Sequence, residues 1–378
     1  MKKIVLLSPA HPLRGGIASS SERLATELQR SGYEVIIYTF SLQYPNFLFP
    51  GKTQFSDDPK PENLDIQIKV NSVNPANWLS VGKELKQLKP DLIITRYWLP
   101  FMAPSLGSII RLAKKNKHTK AIAIADNIIP HEKRPGDRQL TQYFVNSVDG
   151  FIVMSKSVKE EMKQFTTVKP VEYIPHPIYD NYGALVSKEI ALAQLNLEKG
   201  VEYALFFGFI RDYKGLDLLL NALADARLKK RNLKLIIAGE YYGNEAAYEA
   251  IIKARNLANQ VIMHTNYIPN EEVKYYFGAA DLVVQPYKTA TQSGISQLAY
   301  HFEKPMVVTN VGGLPEIVED GKAGYVVEVS EKAIADAIFD FFENNQIEKL
   351  TAGVIENKEQ FSWKNMVDGL ERMEKVIY

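Results

Sequence analysis

The sequence predicts an α/β protein made of two doubly wound, Rossmann-like domains, and three observations predict it. Short, wholly apolar runs recur along the chain, each separated from the next by an amphipathic segment of helical length. That alternation pauses once, at Glu172–Gly183 (EYIPHPIYDNYG), and then begins again. The length of 378 residues is ample for two domains with cores of ordinary size. Strands that are apolar throughout belong to parallel sheets covered by helices on both faces.

In the first half, KIVLL (Lys3–Leu7) reads as a strand, followed by a glycine-containing loop and a helical pattern over Ser19–Ser31 that stops at Gly32. Further strands are read at Glu34–Phe40, Asp91–Thr95, Lys120–Ala125 and Gly150–Met154. After a hinge placed near Pro175–Tyr182 come Tyr203–Phe209, Leu233–Glu240, Gln260–His264, Ala280–Pro286, Pro305–Thr309 and Gly324–Val329. Ligands of open α/β sheets bind beyond the carboxyl ends of the strands. A cleft shared by the two domains is therefore expected.

Composition narrows the chemistry. There are no cysteines, which excludes disulfides, thiolate metal sites and cysteine nucleophiles. The apolar run at the N-terminus, Ile4–Leu7, is too short for a signal-peptide core, and no stretch approaches a membrane span, so a cytoplasmic protein is expected. The net charge of +1 hides a split. Residues 1–175 hold 24 Lys and Arg against 16 Asp and Glu, or +8; the remainder holds 21 against 28, or −7. Such asymmetry fits one face meeting an anion, or two solvated surfaces of differing composition. The cations are not interleaved with stacking aromatics, so no nucleic-acid partner is expected.

The most informative stretch is FFGFIRDYKGLDLLLNAL (Phe206–Leu223). A buried strand runs into a loop with Arg211 and Lys214, and Gly215 opens a leucine-rich helix. Two cations at a helix mouth make an anion trap, since the helix adds N–H groups and its positive dipole end. Arg offers a bidentate fork and Lys a mobile point charge. A solvated loop that is merely basic would read the same way.

This stretch, with IAGE (Ile237–Glu240), AADLVVQP (Ala279–Pro286), VGGLPEIVEDGKAGYVV (Val311–Val327) and LRGGIASSSERLATELQRSGYEV (Leu13–Val35), resembles the family 4 retaining glycosyltransferases of the GT-B fold. The likeness spans essentially the whole chain. It implies an acceptor domain at residues 1–176, a nucleotide-sugar domain at 177–361, and a terminal helix, 362–378, crossing back to the first. It also implies a hexosyl-type transfer, with retained configuration, from a UDP- or GDP-linked sugar to a glycan or lipid-linked acceptor. No cofactor and no metal are implied; the nucleotide sugar is a substrate.

Residue by residue, Arg211 and Lys214 match the family's diphosphate-binding pair. Gly15 and Gly16 match the loop whose backbone approaches the diphosphate and sugar, though a plain tight turn would also need glycine. Glu316 matches a family Glu near a helix start. Gly239, Tyr267 and Ile268 fall where the base is usually held. At the end of Lys120–Ala125, where relatives carry a His-Asp or similar pair, this chain has Asp126-Asn127, with His131 five residues on. Either His131 or Asp126 is expected at the donor sugar. Arg96, Trp98 and Arg134 are acceptor-side candidates. The basic run RLAKKNKHTK (Arg111–Lys120) suits docking on an anionic inner membrane face, or simply the dipole at a helix C-terminus.

One departure stands out. Relatives usually carry two glutamates eight apart in the region of YKTATQSGISQLAYHFEKP (Tyr287–Pro305), but here those places fall on Ala290 and Leu298 or, one residue earlier, on Thr289 and Gln297. Thr291, Gln292, Ser293, Gly294 and Ile295 remain at the helix mouth, where hydroxyls and backbone N–H groups could hold a diphosphate. Gln297 could meet ribose hydroxyls as a neutral donor and acceptor, or face solvent. Two other functions stay open: a non-catalytic sugar-nucleotide binder and a GT-B epimerase.

Overall fold

A computed structural model of the chain describes residues 1–45, 53–56, 59–130, 134–243, 245–290 and 293–378. It divides into two compact units, Met1–His176 with Trp363–Tyr378, and Pro177–Ser362.

In the first unit the strands are β1 (Lys3–Leu7), β2 (Glu34–Leu42), β3 (Asp65–Asn71), β4 (Leu92–Tyr97), β5 (Lys120–Ala125), β6 (Gly150–Val153) and β7 (Val171–Tyr173). They form one sheet in the order β3-β2-β1-β4-β5-β6-β7, and every neighbouring pair is parallel. The central strands β4, β5 and β6 are buried along their whole length or nearly so, which is why they lack polar alternation. The helix Trp363–Ile377 belongs to this unit. Its Met366, Val367, Leu370 and Met373 pack into the same core as Ile4, Leu92 and Ile174. At Gly369 a Cβ would lie 1.9 Å from Ile174 Cδ1, so a larger residue there would have to push that side chain aside. Lys2 with Glu374 at 2.8 Å and the Tyr33 hydroxyl with Glu371 at 2.9 Å fasten the rim.

The second unit carries β8 (Glu202–Phe207), β9 (Leu233–Ala238), β10 (Val261–His264), β11 (Leu282–Gln285), β12 (Met306–Thr309) and β13 (Gly324–Val327). Their order is β10-β9-β8-β11-β12-β13, again parallel throughout. Both sheets reverse direction of growth at their first strand, β1 beside β4 and β8 beside β11. Those two switch points are where an open α/β sheet leaves a crevice at its carboxyl edge.

Candidate functional site

At the carboxyl end of β8 the chain cannot turn directly into its helix. The Gly208 N–H donates to the Ala238 carbonyl and the Ile210 N–H to the Glu240 carbonyl, so pairing with β9 runs past both strands. Gly208 has φ 93° and Gly239 φ 138°. A Cβ on Gly239 would come within 2.3 Å of the Gly208 carbonyl oxygen, so the two backbones touch where side chains would part them. A short turn, Asp212–Lys214, follows, and Gly215 at φ 68° starts the helix Leu216–Leu223. There a Cβ would sit 1.9 Å from the Pro286 carbonyl oxygen, which locks the turn against the end of β11.

This turn buries a lysine. Lys214 is only 8% exposed, with Nζ 5.7 Å from the Tyr287 ring centroid. The two acids nearest in sequence are taken by another cation: Lys288 pairs with Asp212 at 2.8 Å and Asp217 at 3.0 Å. Among the described residues no hydrogen bond or ion pair holds the Lys214 ammonium, and its nitrogen is not fully enclosed. Burial, aided by the positive charge of Arg211, pushes its pKa down to about 7. A Cβ on Gly208 would lie 3.2 Å from Lys214 Nζ and 3.2 Å from Ile295 Cδ1, so these groups converge on one spot.

The helix Gly294–His301 opens beside them. Its mouth differs from expectation in two ways. The Ser293 hydroxyl is not turned out to receive phosphate: it accepts from the Ile295 N–H at 3.2 Å and donates to Gln285 Oε1 at 2.6 Å. Ser296 donates to the same oxygen at 3.1 Å. Ser293 is thus an N-cap, committed to the backbone. Gln297 does not face solvent; it is fully buried, and both its amide atoms lack partners among the described residues. At Gly294 a Cβ would lie 2.7 Å from Tyr179 Cε2, so a ring from the unit's entry segment closes on the helix start. Thr291 and Gln292 lie outside the described residues.

Farther along the edge, Gly239 donates its N–H to the His264 carbonyl at 3.0 Å. Tyr267, in the loop after β10, is 39% exposed and not core, while Ile268 packs half-buried on the unit's interior. Glu316 sits on the four-residue helix Leu314–Ile317 that follows β12. The structure thus gathers Lys214, Gly239 and Ile295 about Gly208, and leaves Tyr267 in the loop after β10 and Glu316 on the short helix after β12.

In the first unit, Gly15 at φ 112° precedes the helix Gly16–Arg30, with open space where its Cβ would be. Arg96, on β4, forms a bidentate pair with Asp126 just beyond β5: Nε to Oδ2 is 2.9 Å, and Nη2 donates to Oδ1. Arg96 Nη1 also donates to Ser20 Oγ at 3.1 Å. Both partners are buried. An acceptor-side role for Arg96, or a donor-sugar role for Asp126, therefore has to compete with this pair. Trp98 is likewise held inside, its indole N–H donating to the Tyr44 hydroxyl and its ring set edge-on to Phe40. Arg134 is exposed, and its backbone N–H donates to Asp137 Oδ2 at 2.7 Å. His131 lies outside the described residues. In the basic run, Arg111 stacks on Tyr143, Lys114 pairs with Asp149 at 2.6 Å, and Lys120 faces the Tyr378 ring.

Gly208, Gln285 and Tyr287 were not singled out by the sequence. Gln285 had a signal, as the one polar residue of an otherwise apolar strand, LVVQ. Among the described residues no group of three or more His, Asp or Glu side chains could hold a metal ion. No described helix is long and apolar enough to cross a membrane.

Two family models match the chain in tandem. The model for Glycosyltransferase Family 4 covers residues 14–181, and the one for Glycosyl transferases group 1 covers residues 187–361. The chain belongs to the family 4 glycosyltransferases. Among curated members, a D-inositol 3-phosphate glycosyltransferase of Segniliparus rotundus is 25% identical over 298 residues, 74% of this chain and 65% of that protein. An uncharacterized glycosyltransferase of Methanocaldococcus jannaschii is 23% identical over 377 residues, 98% of this chain and 97% of that protein. Sucrose-phosphate synthase from Thermosynechococcus elongatus superposes with a TM-score of 0.76 at 18% identity, covering 100% of this chain and 99% of that one. The HepE protein of Anabaena, solved with UDP, gives 0.72 at 16% identity, covering 98% and 100%. The fold is that of GT-B glycosyltransferases, with two Rossmann-like parallel sheets.

Proposed function

We propose that this family 4 member transfers a sugar, with retained anomeric configuration, from a nucleotide diphosphate sugar to a hydroxyl of a glycan or lipid-linked acceptor. The observation that carries this reading is Lys214: a largely buried lysine at a sheet switch point, with its neighbouring acids drawn to Lys288. A buried charge without a counter-charge costs several kcal/mol, and a diphosphate would supply the missing one. As the glycosidic bond to the diphosphate breaks, negative charge grows on the leaving oxygen. Lys214 and Arg211 would meet that charge without reorganising, which is how preorganised cations lower a barrier. The UDP, UDP-glucose and ADP held by structural neighbours accord with this choice of ligand. Gly208 and Gly239 would let the donor approach the backbone, and Tyr267 and Ile268 would border the base. In the first unit, Gly15 and Gly16 keep the role of a backbone that a ligand can approach closely. Gln297 is fully buried, so the ribose contact expected of it has no place in this reading.

The chemistry assigned here routes no step through a metal. The test is a panel of UDP-, GDP- and ADP-sugars with the purified chain, reading nucleotide release with and without membrane extract and with and without EDTA. Release that rises with extract and is indifferent to EDTA is expected. Binding without turnover under every condition would replace the transferase by a sugar-nucleotide binder.

A further inference from the structure

Arg211, like Lys214, lies over an aromatic ring and not against a carboxylate. It makes no ion pair or hydrogen bond through its side chain among the described residues; its guanidinium carbon instead lies 4.8 Å from the centroid of the Tyr242 ring. Tyr242 in turn packs on Phe209, with centroids 4.4 Å apart and planes at 57°. The register of the strand ends dictates this stack. Ile210 and Tyr241 are partners in a parallel bridge beyond β8 and β9. The Tyr242 N–H donates to the Ile210 carbonyl at 2.9 Å. One position on, Arg211 and Tyr242 are neighbours across the strands and share a face, and Phe209, two before Arg211, points the same way. The opposite parity sends Tyr241 inward, onto Tyr248 at 5.9 Å.

We infer that Tyr242, backed by Phe209, is a positioning residue that presents the Arg211 guanidinium to the donor diphosphate. The inference rests on the reading of Arg211 and Lys214 as the diphosphate site. A carboxylate could orient Arg211 too, but it would occupy the N–H fork and have to be displaced by the ligand. An aromatic face attracts the cation through its quadrupole and leaves all five N–H donors free. It also restricts a side chain with high rotamer entropy before the ligand arrives, which improves affinity without adding a contact to the ligand.

The experiment is a double-mutant cycle on the full chain, titrated calorimetrically with UDP, GDP and ADP and continued with whichever binds tightest. Tyr242→Ala should weaken binding about five- to tenfold, while Tyr242→Phe, which keeps the π face, stays within about twofold of the parent. Arg211→Ala should weaken it about 20-fold or more. The double variant should be no weaker than Arg211→Ala alone, because the tyrosine acts only through the arginine. An additive double variant, or a Tyr242→Ala that binds normally while Arg211→Ala does not, overturns the positioning role. An Arg211→Ala that binds normally removes the diphosphate assignment itself. Thermal unfolding of each variant separates loss of fold from loss of positioning, since a damaged fold would lower affinity in the Arg211→Ala background as well.

Discussion

The two units each bury a cation beside a sheet switch point, and they treat it in opposite ways. In the first, Arg96 meets both oxygens of Asp126 and donates to Ser20. In the second, the ammonium of Lys214 has no carboxylate partner among the described residues, although Asp212 and Asp217 flank it in sequence. One charge is answered by a carboxylate of the protein; the other is not, among the described residues. A buried, uncompensated charge is costly, so its persistence points to a counter-ion from outside. On the proposed reading the same fold holds a structural cation and a binding cation, told apart by their partners.

The largest expected effect breaks the satisfied pair. Asp126→Ala leaves Arg96 charged and buried without its carboxylate, which should destabilise the protein by about 3–5 kcal/mol. Circular dichroism should then show the unfolding midpoint lowered by roughly 10 °C. A midpoint that moves less than a couple of degrees, with lost activity, would return Asp126 to the chemistry of the donor sugar.

Next in size is the unsatisfied partner. Lys214→Met removes the charge and keeps a similar shape, so nucleotide affinity should fall roughly 100-fold. Stability should move the other way. Folding lowers the lysine pKa from 10.5 to about 7, so the unfolded chain binds more protons between those values and this group's contribution to stability rises with pH across that window. The penalty of burying it is fully present below pH 7, so the methionine variant should gain more in midpoint at pH 6 than at pH 10. A variant less stable than the parent at both pH values would mean that Lys214 is a core residue and not a binding cation.

The fold was largely legible because its central strands are covered on both faces. Lys3–Leu7 and Lys120–Ala125 were read with the bounds the structure gives. The strands that escaped notice are β3, DIQIKVN, and β7, VEY, both at sheet edges. Half-exposed edges carry polar residues, which dilute the apolar signal. At the site, Arg211 and Lys214 were legible as a pair, because strand, loop and helix are consecutive in sequence. That Lys214 is the buried member was not, since the Tyr287 ring beneath its ammonium comes from more than 70 residues on. The interior place of Gln297 was hidden too: helical periodicity gives a helix two faces without saying which one its neighbours cover. Hydroxyl chemistry misled at Ser293, where local capping claims the oxygen that a ligand was expected to use.

The smallest expected effect is a pH profile, and it sharpens the contrast between the cations. With the site empty, Lys214 titrates near 7 because burial and Arg211 disfavour its charged form. A seated diphosphate favours that form and raises the pKa, so above pH 7 the complex must take up a proton. Affinity should be highest below pH 7 and fall as pH rises toward the pKa of the complex, by at most about tenfold per unit. The probe should be an intact nucleotide sugar, because a free terminal phosphate titrates near pH 6 and would blur the slope. The measurement is its dissociation constant from pH 6 to 9, beside Lys214→Met, in which the dependence should vanish. A flat profile in the parent chain would show that Lys214 is already charged when the donor arrives, and that the two buried cations differ less than their partners suggest.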